Sequence, residues 1–289
     1  MTGAPRPPER RLADAFAPYH NLSYYCPEIA EFTAAGMRGW WMAYFACRSA
    51  PLGRVPAEVV TAAFYGFAPR MVHRAIPAVW AVMSPAEALA RRLDVTDRAL
   101  RRVLGEEVAG PAVAEAAALA RRAVEGCELA GRPLFAGHCA LEWPTAPHLV
   151  LFHACTLLRE QRGDSHSLAL AAHELDGVAC HVMMAALGHG NRASILPIRG
   201  WTEAEWAAAQ ERLTARGWLS ADGSLTEAGR EGRAAVEALT DRLAAEPAAR
   251  LGERGLDRFV ELMTPLSEAL HTRGGVPGSW PPPHLLRPA

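Results

Sequence analysis

The chain contains no lysine: all 30 residues counted as lysine plus arginine are arginine. That one absence removes several chemistries. A pyridoxal-phosphate enzyme needs a lysine for its Schiff base, and a P-loop and a kinase each need a phosphate-binding lysine. A lysine-free chain rich in Ala, Arg, Gly and Pro is also what a GC-rich genome writes, so codon usage explains the absence before function does. An excess charge of one sign is missing too. Thirty basic against 31 acidic residues leave a formal net charge of -1, and no whole-chain field draws in a phosphate backbone; nucleic-acid binding needs a local patch. There is no C-x-x-C pair. Cys26, Cys47, Cys127, Cys139, Cys155 and Cys180 are scattered and read as reduced, mostly buried thiols. No stretch of roughly 18 apolar residues suggests a membrane span. The Pro- and Arg-rich start, Met1 to Arg11, has no apolar run of a secretion signal. The expected location is cytoplasmic.

What the chain does have is helical periodicity. With 289 residues, it is long enough for two domains of roughly 150 residues each. A flexible arm is expected over 1–12 and an N-terminal helical half over 13–130. Apolar residues recur at helical spacing from Ile29 to Phe45. Ser84-Pro85-Ala86-Glu87 is a capping box that opens a charged helix through Leu104. A connector is placed at 131–147, a C-terminal half at 148–273, and a Pro-rich tail at 274–289. In the C-terminal half, helices are expected over 148–161, 166–175, 178–187 and 202–216, with a turn at Arg162 to His166. Thr202 and Glu205 form a second capping box, and Gly217 ends its helix. Trp218 to Thr226 reads as a β-hairpin around Asp222-Gly223. No alternating βαβ units, G-x-G-x-x-G or G-x-S-x-G are present.

A helix, a loop, a second helix and a hairpin make a winged-helix pattern. Arg212-Leu213-Thr214-Ala215-Arg216-Gly217-Trp218-Leu219 and Leu225-Thr226-Glu227-Ala228-Gly229 resemble the wing region of MarR-type proteins. Over most of its length the chain resembles a large actinobacterial helix-turn-helix family. The resemblance is carried by Gly39 to Ala46, Arg48 to Gly53, Leu158 to Asp164, Arg199-Gly200-Trp201 and Thr240 to Ala244. It departs from that family's usual pattern at Gln161, at Ser165 and around Tyr65-Gly66-Phe67-Ala68. The resemblance implies a mostly α-helical fold: two tandem MarR-like winged-helix halves packed as a pseudo-dimer, with one small β-hairpin wing.

DNA reading is disfavoured. The expected recognition helix, 202–216, carries Glu203, Glu205 and Glu211 against Arg212 and Arg216, and the hairpin tip is Asp222-Gly223. Helices that read DNA present Arg, Lys, Asn or Gln to bases and phosphates. The pairs Arg91-Arg92, Arg101-Arg102 and Arg121-Arg122 read as solvated helix faces.

The densest polar chemistry lies between residues 153 and 181. His153, Thr156 and Glu160 fall at i, i+3 and i+7, on one helix face. His153, Glu160, Asp164 and His166 are the candidate acid/base residues, and Arg159 and Arg162 are candidate carboxylate clamps. The competing reading makes the same residues a salt-bridge network tying helix ends together. His20, Tyr24, Trp40, Trp41, Tyr44 and Tyr65 are the candidate aromatic wall of a ligand pocket between the halves. Metal spacing is absent, and the cofactor is unknown. The reading that results is a small-molecule-binding protein, or an enzyme of specialised metabolism, on a repurposed winged-helix fold. The alternative is a MarR-type transcription regulator. A homodimer is left open.

Overall fold

The structure, a computed structural model, describes residues 6–277. The chain is mostly helical. Among the described residues the only β pairing is one isolated antiparallel bridge, Leu219 with Leu225. The chain forms two compact units that interleave along the sequence. Among the described residues the first comprises 6–54, Ala78–Ser165 and 241–277; the second, Val55–Pro77 and His166–Thr240. The tandem arrangement expected on either side of a connector is therefore not what the contacts give. The connector is itself structured, since Pro133–Cys139 is a helix. The arm is helical from Pro8, where proline occupies the first helical turn. Residues 1–5 of the arm and 278–289 of the tail lie outside the described residues.

In the first unit, Pro8–Tyr25 and Pro111–Val124 pack along Glu246–Thr272. That last stretch breaks at Gly252, which takes φ 67° and ψ 172°. The core holds Tyr19, Leu22, Phe32, Phe45, Leu100, Phe135, Leu151 and Phe259. The apolar run from Ile29 to Phe45 is not one helix. It divides into Pro27–Ile29, Ala30–Ala34 and Gly39–Ser49. Gly36 takes φ 103° at the break, a conformation open to glycine and costly to residues with a Cβ. Arg38 consequently precedes the helix that carries Arg48.

Pro85–Leu104 starts at the expected capping box. Glu87 N–H donates to Ser84 Oγ at 3.3 Å, and Ser84 N–H donates to Glu87 Oε2 at 2.8 Å. Its buried stripe is Ala88, Arg92, Val95, Thr96, Ala99, Leu100 and Val103. One arginine therefore sits on the inward face.

The expected turn at Arg162 to His166 is absent. Pro147–Ala172 is one continuous helix. A mid-helix glycine costs about 1 kcal/mol relative to alanine, which burial along this helix outweighs. A Cβ at Gly163 would meet only the mobile end of Arg159, Nη1, within 3 Å. Asp164 does not cap its own segment. Its Oδ2 accepts from Phe135 N–H at 2.9 Å, capping Pro133–Cys139 from outside.

The second unit holds the helix-turn-helix. Arg192–Arg199, which the sequence reading leaves as loop, leads through Gly200 in the left-handed conformation to Glu203–Ala215. Gly177–Ala186 packs against Glu203–Ala215. The hairpin shrinks to a turn. Thr226 N–H reaches Trp218 O at 3.1 Å, and the Thr226 hydroxyl donates to Gly217 O at 2.6 Å while accepting from Gly229 N–H at 3.0 Å. Thr226 thus caps the helix Glu227–Leu243 and closes the turn, leaving too little extended chain for a ladder.

Candidate functional site

The first unit contains a buried polar cluster. Arg48, on Gly39–Ser49, meets Glu160, on Pro147–Ala172, through two bonds: Nε to Oε1 at 3.0 Å and Nη2 to Oε2 at 2.6 Å. Glu160 is completely buried, and Arg48 nearly so. Nη1 of Arg48 also donates to the Tyr44 hydroxyl at 2.8 Å. Burial alone would raise the Glu160 carboxyl, but the Arg48 charge outweighs it and holds the group well below the ordinary carboxylate range. Glu160 is thereby a fixed anion with both oxygens engaged by Arg48. It is poorly placed to move protons.

Arg92 is a different case. It is 4% exposed, and no carboxylate forms an ion pair with it among the described residues. Its partners are neutral. Nη2 donates to the Tyr24 hydroxyl at 3.1 Å and to Thr156 Oγ1 at 3.5 Å, and Nη1 lies 3.4 Å from His138 Nε2. Its guanidinium carbon sits 5.3 Å from the Tyr24 ring centroid and 5.0 Å from that of Phe152, a double cation–π arrangement. Nε has no hydrogen-bond partner. His138 Nδ1 is 2.9 Å from Leu134 O, which makes Nδ1 the donor and leaves Nε2 to accept from Arg92. Burial, with Arg92 adding to it, lowers His138 to about 4. His20 is likewise lowered by burial and then by Arg92, and its Nδ1 lies 3.3 Å from Thr156 Oγ1.

Arg92, His138 and Thr156 form one wall of a cleft of about 410 Å³. Leu89, Ala90, Leu93, Leu141, Glu142, Trp143, Pro144, Phe152 and His153 line the rest. The His153 ring meets Trp143 edge-on, 4.6 Å between centroids, and its Nε2 is buried without a partner. Burial lowers His153 to about 3. The cleft is within the usual size range of small-ligand sites and has their composition, apolar walls with a few convergent polar groups.

Of the residues expected to form the site, only His153 lines this cleft. His20 and Tyr24 stand behind it, holding Thr156 and Arg92. Trp40, Trp41 and Tyr44 form a half-buried aromatic cluster: Trp40 stacks on Tyr44 at 5.0 Å and donates to Tyr24 O at 2.7 Å, and Trp41 meets Tyr44 edge-on at 5.5 Å. Asp164 is a helix cap, and burial raises it to about 7. Arg162 donates to Asp241 at 2.9 Å, sharing that carboxylate with Arg10. Arg159 lies beside Gly163. Two of the expected residues belong to the second unit. His166 Nδ1 meets Thr240 Oγ1 at 2.9 Å, and the Tyr65 hydroxyl donates to Leu175 O at 2.7 Å. The cleft lies within the first unit, and its lining comes from both sequence halves, Leu89 to Leu93 and Phe152 to Thr156, and from the connector, His138 to Pro144.

Sequence reasoning missed Arg92, His138, Trp143 and Phe152. The signal for Arg92 was present: it falls four residues after Ala88 and four before Thr96 on an otherwise apolar or small stripe, whereas Arg91 does not. Nothing in the spacing pointed to His138 or Trp143, which a fold-level turn brings to the cleft. No group of histidines, cysteines and carboxylates among the described residues has the arrangement of a metal site.

On the helix-turn-helix, two of the acids weighed against DNA binding, Glu203 and Glu205, have arginine partners. Glu205 receives both Arg70 Nη atoms and completes the Thr202 capping box, and Glu203 pairs with Arg192. Arg212 donates to Asp176 at 2.5 Å. The exposed positions of Glu203–Ala215 include Ala204, Ala207, Ala208 and Ala215. No helix is long and apolar enough to cross a membrane among the described residues. No curated protein and no solved structure gives a match. A family model described as a helix-turn-helix family matches residues 9–277, and the chain therefore belongs to that helix-turn-helix family.

Proposed function

We propose that the chain is a small-molecule-binding protein built on a helix-turn-helix fold, with its ligand in the cleft of the first unit. The observation that carries this reading is a buried, unpaired polar floor. Arg92 Nε and His153 Nε2 both lack partners, and both residues line the same cleft. More than nine in ten buried polar groups are ordinarily satisfied, so two orphans in one cavity point to a missing occupant. Binding, rather than acid/base catalysis, suits the residues. Glu160 is committed to Arg48, and the histidines around the cleft are held neutral by burial.

The second reading is a DNA-binding regulator of the MarR type, and one observation favours it. Glu203 and Glu205 are neutralised by Arg192 and Arg70, which weakens the charge objection. Against it stands the exposed face of Glu203–Ala215, rich in alanine and short of groups that hydrogen-bond base edges. Two titrations separate the readings. A fragment screen by ligand-observed NMR is expected to find binders that a Trp143→Ala variant loses. Fluorescence anisotropy with palindromic duplexes is expected to show no submicromolar binding. Submicromolar affinity that collapses between about 50 and about 200 mM salt would overturn the proposal.

A further inference from the structure

We propose that the cleft takes an organic carboxylate: one anionic head on a flat apolar body. This rests on the reading that the cleft binds a small molecule, and it adds the charge and shape of that molecule. Arg92 is a buried cation at the cleft that no carboxylate among the described residues pairs. Glu160 is matched by Arg48 through both oxygens. Asp164 faces the backbone N–H of Phe135. Glu142, the one carboxylate lining the cleft, is exposed and forms no ion pair with Arg92. His20, His138 and His153 are neutral. Arg92 therefore carries a full positive charge at the wall of an apolar cavity, with only hydroxyls, an imidazole and two ring faces around it.

A buried charge without a counter-ion is strongly unfavourable. Leucine or methionine would fill the same stripe position between Ala88 and Thr96 without that penalty. A carboxylate beside the guanidinium supplies what is lacking, a negative charge, and guanidinium is the group best matched to it. A dianionic phosphate needs more donors than one unpartnered N–H beside one neutral histidine offers. An amine would meet Arg92 as a like charge. The apolar body is set by Trp143, Phe152, Leu89 and Leu93. His153 Nε2, neutral and unpartnered, gives the ligand a second polar contact.

The test is calorimetric titration of the full chain with 1-naphthylacetate, its primary amide and 2-(1-naphthyl)ethylamine. The carboxylate is expected to bind at least about tenfold more tightly than the amide, and the amine not at all. Arg92→Met is expected to abolish that preference and to melt at or above the wild-type temperature. A structural role for Arg92 gives the opposite melting shift. Arg92→Lys keeps the charge without the fork and is expected to fold and to bind the carboxylate more weakly. If the amide or the amine binds as tightly as the acid, the ligand class is wrong while small-molecule binding stands. If neither these probes nor uncharged aryl fragments bind, both readings fail.

Discussion

Two buried arginines in the same unit do opposite things. Arg48 holds both oxygens of the Glu160 carboxylate and stabilises by pairing; Arg92 has no carboxylate partner among the described residues and is held by rings and hydroxyls. Removing one partner of a buried pair leaves the other uncompensated, which typically costs about 3–5 kcal/mol. Glu160→Gln is therefore expected to lower unfolding free energy by that order in a urea titration. Replacing both partners, Arg48→Met with Glu160→Leu, is expected to come close to neutral. If the single and double variants lose the same stability, the Arg48–Glu160 pair is not what holds this region. Protonation adds a pH signature. Burial lowers His138 to about 4, and His153 and His181 to about 3 each. Unfolded histidine titrates near pH 6.5, so below that value the unfolded chain binds more protons than the folded one. Stability is thus expected to fall as pH drops from about 6.5 to about 4. Asp164 acts with the opposite sign. Burial raises it to about 7, so its contribution is present below the unfolded carboxylate value and is lost as pH rises through about 7. Asp164→Asn keeps a capping oxygen and removes the opposing contribution. Its melting temperature is expected to rise more steeply with pH than the wild type's between about 4 and about 6.5. Parallel curves would contradict the assignment.

At the scale of elements, short-range chemistry was the legible part. Both capping boxes formed as written, Ser84 with Glu87 and Thr202 with Glu205, because a cap needs only residues three apart. Turn residues were less reliable. Arg162-Gly163-Asp164-Ser165 carries a turn composition, yet it lies inside Pro147–Ala172, because Asp164 found a more distant set of backbone donors on Pro133–Cys139. The Leu225 to Gly229 run marks an element boundary, but its work is capping and close packing, not strand pairing. A Cβ on Gly229 would run into the Trp218 carbonyl oxygen. Gly229→Ala is therefore expected to destabilise the second unit by about 1–3 kcal/mol, with local hydrogen exchange rising first around Trp218 and Leu225. Unchanged exchange there would show that the turn tolerates displacement.

For the whole molecule, the helical class was readable from periodicity, while the interleaving of the two units was not. No local pattern announces that 55–77 joins 166–240. The cleft was hidden for the same reason. Arg92, His138, Trp143 and His153 stand on separate segments and meet only in three dimensions, and an Arg-Arg pair on a charged helix looks solvated until the stripe is counted. The polar residues expected to act together over 153–166 have separate partners in the structure. Most of those residues tie helices together, and only His153 and Thr156 reach the cavity. The central claim is that this cavity, in a helix-turn-helix protein, holds a small organic acid. The most direct measurement is a nuclear magnetic resonance titration with 1-naphthylacetate that follows the indole N–H of Trp143 and the ring protons of His138 and His153. Saturable shifts of all three, lost in Arg92→Met, are the expected result. Shifts absent from these three rings at saturating ligand would contradict it.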